Sequence, residues 1–192
     1  MSKSNIFIIS GPSGAGEDSV ITGLKDYFPL EKILTTTTRE MREGETNGVQ
    51  YWFISKEEFI TRRDKGEFIE WAEQYNGNLY GVTVQEVDRV RSAGKIGIWK
   101  IEYKGVMTVK EKFPEIKSIY IAPPSLEILK QRIMKRDKVS EEFINERMEY
   151  TKEWMQHENI YDFKVVNEEG KLDEAVKKVV DIIENNTDAK LN

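Results

Sequence analysis

Cysteine is absent from the 192 residues, which excludes disulfides, thiolate metal sites and thiol nucleophiles. Histidine occurs once, at His157, so neither a histidine-based metal site nor a Ser-His-Asp triad is expected. No apolar run approaches the ~20 residues that a membrane span needs. The opening MSKSNIFIIS has no basic stretch followed by a long apolar one, and no cleavage signal. A soluble, cytoplasmic protein without a membrane partner is therefore expected. Positive charge is in deficit, with Lys+Arg 29 against Asp+Glu 34 and a net charge of -5. Binding of nucleic acid through overall charge is thereby excluded, although a local basic cleft stays open. What remains suits a single domain: 39% hydrophobic residues supply a core, and 33% charged residues, against a typical ~25%, supply a well-solvated surface.

The chain opens with a short apolar run, Asn5–Ser10, that ends in a glycine-rich turn and reads as a buried parallel strand. From Asp18 to Phe28 the apolar residues Val20, Ile21, Leu24 and Phe28 recur at helical spacing. Strand, glycine loop and helix in this order open a mononucleotide-binding α/β unit. Further buried strands are predicted at Lys95–Ile101, Ser118–Ala122 and Asp162–Asn167, with helices at about 104–112, from Ser125 to Arg136, from near Ser140, and at Leu172–Ile183. Asn185–Asn192 reads as a frayed tail. Between Thr35 and Val87, short alternating segments separated by Gly and Asn read as a small antiparallel sheet inserted into the α/β core.

Gly11-Pro12-Ser13-Gly14-Ala15-Gly16 has the glycine spacing of a phosphate-binding P-loop, G-x-x-x-x-G-K-[ST]. In such a loop, backbone N–H groups face phosphate oxygens and the following helix adds its positive end. Here the lysine position holds Glu17 and the hydroxyl position Asp18.

Beyond the loop, TTTTREMREGETNGVQYWFIS, GEFIEWAEQYNGNLYG, YIAPPSLEILKQRIMKRDKVSEEFINER and YDFKVVN resemble guanylate kinase, and the resemblance covers nearly all of residues 5–185. It implies an α/β fold of the P-loop NTPase type: a parallel sheet flanked by helices, with an inserted small mixed or antiparallel lobe for the nucleoside monophosphate and a helical lid. The expected division is a core of 1–34, 88–124 and 159–192, a GMP lobe of 35–87, and a lid with flanking helices of 125–158. The implied activity is ATP-dependent phosphoryl transfer to GMP with Mg2+ as cofactor, in a monomer or homodimer whose partners are the small molecules ATP and GMP.

The resemblance also implies roles. Arg39 and Arg42 match the arginines that grip the acceptor phosphate, and Tyr51 and Tyr80 their tyrosine partners, with Thr35 beside them. A planar guanidinium binds phosphate bidentately, which suits the assignment. Glu70 matches the glutamate that reads the guanine N1 and N2 donors, and Glu102 an aspartate, one methylene longer. The family's Ser or Thr near the guanine carbonyl falls at Val82, with Thr83 next to it; Gln74–Asn78 holds one residue more than usual. Arg132, Arg136 and Arg147 match the arginines that close over the transferring phosphoryl group and the donor. Asn167 matches a position near the donor adenine. Ser13 and the loop residues 11–19 would hold the donor phosphates.

Two departures have opposite signs. The family's P-loop lysine is Glu17, and its strand aspartate two residues before Glu102 is Lys100. The expectation is an exchange of carriers: Lys100 supplies the ammonium to the donor phosphates, held by Glu17, while Asp18 or Ser19 coordinates Mg2+. The alternatives are a decayed, catalytically inactive binding module and a kinase for another purine monophosphate. Trp52, Trp71, Trp99 and Trp154 read as packing residues, and His157 as a surface residue or a helix-end partner.

Overall fold

The computed structural model describes residues 3–74, 77–136 and 141–188, without the side chains of Arg136 and Glu141. Five strands form one parallel sheet in the order β2-β7-β1-β8-β9: β1 Ile6–Ser10, β2 Leu30–Lys32, β7 Ile96–Trp99, β8 Lys117–Ala122 and β9 Phe163–Val166. β1, β7 and almost all of β8 are buried along their length, as a parallel sheet covered on both faces requires. The alternation of β1 splits the core in two. Phe7 and Ile9 face a cluster built with α1 (Glu17–Leu24) and α7 (Leu172–Asn186). Ile6 and Ile8 face a second cluster with α3 (Val84–Arg91) and α4 (Tyr103–Lys112).

A second sheet runs β4-β3-β6-β5, from β3 (Thr36–Thr37), β4 (Trp52–Phe53), β5 (Phe68–Glu73) and β6 (Leu79–Thr83). It is mixed, because β3 pairs parallel with β4 and antiparallel with β6. The inserted segment is not all sheet: α2 (Lys56–Asp64) crosses it, started by Ser55, whose hydroxyl accepts the Glu58 N–H. Two further helices, α5 (Leu126–Arg136) and α6 (Glu141–Gln156), follow β8. Ser125 starts α5 as expected, its hydroxyl accepting the Ile128 N–H. Ser140 lies outside the described residues.

Several expectations need correction. β2 was not foreseen; it is an edge strand of one apolar and two charged residues that pairs with β7. Asn185 and Asn186 are helical rather than frayed, since Lys3 clips the chain end through the Asn185 carbonyl and the Asp188 carboxylate. Trp71 is 45% exposed rather than packed inside. His157 directly follows α6, at a helix end as expected, and stacks flat on Tyr103, with ring centroids 4.6 Å apart. Among the described residues no helix is long and apolar enough to cross a membrane.

Candidate active site

The site lies where the carboxyl ends of β1 and β7 meet the second sheet. The loop leaving β1 is shaped by its glycines: Gly14 and Gly16 have φ of 90° and 96°, a left-handed conformation that side chains disfavour. A Cβ on Gly11 would fall 2.4 Å from the Ile121 carbonyl oxygen, and one on Gly16 2.3 Å from the Asn167 amide nitrogen. The loop closes through Ala15 N–H to the Pro12 carbonyl. Asn167 braces it, its amide donating to the Ala15 carbonyl at 2.8 Å. One amide N–H of Asn167 is thus used on the loop backbone. From α6, Arg147 donates to Ser13 Oγ at 2.6 Å and lies over the Phe143 ring. Arg132, on α5, donates to the Asn167 carbonyl and to Glu169, and it shares a hollow of about 300 Å3 with Ser19 and Asn167. The Arg136 side chain lies outside the described residues.

Glu17 does not make the expected pair with Lys100. Glu17 is only 8% exposed, with the backbone N–H groups of Glu17 and Gly16 close to its carboxyl. Burial pushes its carboxyl above the usual range, and those N–H groups and the charge of Lys100 oppose the rise. Lys100 instead donates to Asp18 Oδ2 at 2.7 Å. The sheet explains the geometry: β7 runs parallel to β1 with Trp99 opposite Ile8, so the residue after β7 emerges beside the loop after β1. Asp18, on the outer face of the first turn of α1, is the carboxylate within reach, while Glu17 is held inside.

Facing the loop, a cleft of about 560 Å3 lies between the second sheet and the β7–α4 connection. Thr35, Tyr51, Glu70, Tyr80, Lys100 and Glu102 line it together. Burial and the nearby charge of Glu102 push Glu70 up to about 7, against the pull of Lys112, whose ammonium sits on the Ile69 carbonyl. Glu102 accepts a 2.7 Å hydrogen bond from Tyr150, which ties α6 to the floor of the cleft. The Arg39 guanidinium lies 5.4 Å from the ring centroids of Tyr51 and Phe53. Arg39 pairs with Glu45, which also accepts the Arg42 N–H. The Arg42 side chain is exposed at the rim.

Val82 and Thr83 are not part of the lining. Val82 stands opposite Glu70 in the β5–β6 register but is wholly buried among Ile69, Ile33 and Trp99. Thr83 caps α3, its hydroxyl accepting the Glu86 N–H, and borders a different hollow. Two residues were missed. Glu45 occupies Arg39, and the spacing Arg39, Arg42, Glu45 was the available signal. Tyr150 gave no signal, because it meets Glu102 only through the packing of α6.

A glycine loop braced for anions beside a cleft that pairs two carboxylates with an arginine and tyrosines suits a donor and an acceptor nucleotide. The comparisons with known proteins agree. The guanylate kinase family model matches residues 3–186. The chain is 42% identical to guanylate kinase of Idiomarina loihiensis over 86% of its length and 80% of that protein. It is 39% identical to guanylate kinase of Halalkalibacterium halodurans over 94% of its length and 88% of that protein. A crystal structure of guanylate kinase from Anaplasma phagocytophilum superposes with a TM-score of 0.68 at 27% identity, covering 98% of this chain and 89% of that one. With the family model spanning nearly the whole chain, and relatives near 40% identical over most of it, this chain belongs to the guanylate kinase family.

Proposed function

We propose that this protein transfers the γ-phosphoryl group of ATP to GMP, giving ADP and GDP. One observation carries the reading: two carboxylates, Glu70 and Glu102, line one cleft, and Lys100 in the same lining reaches Asp18 in the first turn after the glycine loop. Guanine offers N–H donors at N1 and N2, and carboxylates are their complement; adenine has no donor at N1. At the other end of the cleft, Arg39 and the hydroxyls of Tyr51 and Tyr80 suit the monophosphate. Glu45 is then the group that an incoming phosphate displaces from Arg39.

In the transfer, a GMP phosphate oxygen forms a bond to the γ-phosphorus, the bond from that phosphorus to the β-bridging oxygen breaks, and ADP leaves with the electron pair. No general base is needed, because the acceptor phosphate is already a nucleophile. The work is positioning and charge stabilisation. The loop's N–H groups hold the donor, Arg147 and Arg132 bring positive charge from the α5–α6 lid, and Arg136 extends the same helix. Among the described residues no three acidic or histidine side chains gather into a metal site. Mg2+ would therefore take most of its oxygens from the phosphates and water, with Asp18 or Ser19 adding one, as suits this cation. When bound, it neutralises charge on the β- and γ-phosphates.

A second reading, a nucleotide-binding module without catalysis, draws on Glu17 lying inside the loop. A coupled ADP-release assay with ATP, Mg2+ and GMP, dGMP, AMP or UMP separates the two. Turnover with GMP and dGMP, and little with AMP or UMP, is the expected result. GMP binding without ADP release from any acceptor would support the module instead.

A further inference from the structure

A carboxylate at the lysine position of a phosphate loop poses an electrostatic problem. Left uncompensated about 4 Å from a phosphate charge, it would slow transfer on the order of a thousandfold. The cation that answers it must reach both the loop and the acceptor cleft. Among the described residues, Arg147 reaches the loop at Ser13 and Arg132 reaches its brace at Asn167, but neither lines the acceptor cleft. Lys104 lines that cleft but lies over the Tyr103 ring, and Lys112 donates to the Ile69 carbonyl.

We propose that Lys100, carried by the end of β7 rather than by the loop, is the phosphate-binding ammonium of this site, and that Asp18 is its resting counter-ion, exchanged when nucleotide phosphates arrive. The inference rests on the kinase reading above and goes further: it assigns the missing cation and states what holds it in the empty enzyme.

Three observations support it. The Lys100 ammonium sits 2.7 Å from the first turn of α1 and also lines the acceptor cleft, so it lies at the seam where the transferring group passes. Its side chain is 46% exposed and that of Asp18 80%, so the pair is a solvated one that costs little to open. Glu17 is buried, and the carboxylate that the Lys100 ammonium meets is that of Asp18. When phosphate takes the ammonium, the Asp18 carboxylate is released on the face where Mg2+ or its water can use it. Lys100 makes no covalent bond in this scheme; it holds charge while the γ-phosphorus changes oxygen partners.

The test uses the full chain in five forms: wild type, Lys100→Ala, Lys100→Arg, Glu17→Lys, and Glu17→Lys with Lys100→Ala. GMP-dependent ADP release, calorimetric titration with Mg2+ and ADP, and thermal melting are measured on each. Lys100→Ala should lose about a hundredfold or more in kcat, with KM for GMP within about threefold. It should also bind ADP about tenfold more weakly and melt close to wild type. Lys100→Arg should keep turnover within about tenfold of wild type. Adding Glu17→Lys to Lys100→Ala should recover at least tenfold, because the ammonium then returns to the loop. Turnover of Lys100→Ala within threefold of wild type overturns the inference, and so does a double variant no faster than Lys100→Ala. Absence of turnover in the wild type with every acceptor would sink the kinase reading instead. The ADP titration then decides Lys100 alone: equal affinity of wild type and Lys100→Ala overturns its role, and weaker binding by the variant upholds it.

Discussion

The two halves of the cleft are built on different principles. On the proposed acceptor side, Glu70, Glu102, Tyr51 and Tyr80 line one cleft, with Arg39 over the Tyr51 ring, and all of them present side-chain groups from the small sheet and the loops beside it. On the donor side the holding groups are backbone N–H donors, shaped by glycines, and the side chains around them have changed sign. A base edge is read by donors and acceptors at fixed positions, so a reader is hard to move. A polyphosphate is held by a field and a row of N–H groups, and an ammonium can enter such a field from any neighbouring element.

The most damaging way to break the donor half is therefore through its backbone. Gly16→Ala would place a Cβ 2.3 Å from the Asn167 amide, at a φ of 96°. The loop must open or Asn167 must release Ala15, and either change misdirects the N–H groups. We expect kcat/KM for ATP to fall more than about a hundredfold, while calorimetric affinity for GMP alone stays within about threefold. A parallel loss of GMP affinity would show that the two halves are not independent.

How far the molecule was legible in its sequence divides along the same line. β1, β7, β8 and β9 were visible because each is an apolar run bounded by turn residues. β2, with one apolar and two charged residues, and β3, with two threonines, are too short to carry a period. α2 buries only Phe59, so it shows no apolar stripe; its one sign was Ser55 followed three residues later by Glu58. Thr35, Tyr51, Glu70, Tyr80 and Glu102, which share one cleft, could be singled out because the resemblance rests on side-chain identity at those positions. The Lys100–Asp18 pair was not, since a sequence names the charges near a loop but not which rotamer buries one of them. Val82 failed for a related reason: register places it beside Glu70, and only packing shows that it faces the core.

The acceptor half is sharpened by pH. Glu70 is pushed up to about 7 by burial first and by Glu102 second, with Lys112 opposing. Guanine needs the ionised form, so KM for GMP should fall about tenfold from pH 6 to pH 8, as the ionised fraction of a group near 7 rises. The sign for the unliganded fold is the reverse. Between the ordinary carboxylate value near 4.5 and about 7, the folded chain keeps a proton that the unfolded chain has lost. Stability should therefore decline with rising pH over that window. Glu70→Gln should flatten both trends, leaving in the KM profile only the titration of the GMP phosphate itself. An unchanged KM profile in Glu70→Gln would remove Glu70 from base recognition.

The smallest effect probes a contact between α6 and the acceptor half. Tyr150, on α6, donates to Glu102 at 2.7 Å, and burial together with that carboxylate holds its phenol well above the usual range, so it stays a donor at any working pH. Tyr150→Phe deletes one charge-assisted hydrogen bond at a solvent-screened position, where roughly two- to fivefold is the expected scale. If the bond serves to aim Glu102 at the base, the loss falls on KM for GMP and leaves ADP affinity untouched. If it serves to hold the lid, ADP affinity weakens and KM for GMP does not change. Equal losses in both would mean that closing the lid and orienting the base reader are a single event. The clean division between a side-chain acceptor site and a backbone donor site would then hold only for the open enzyme.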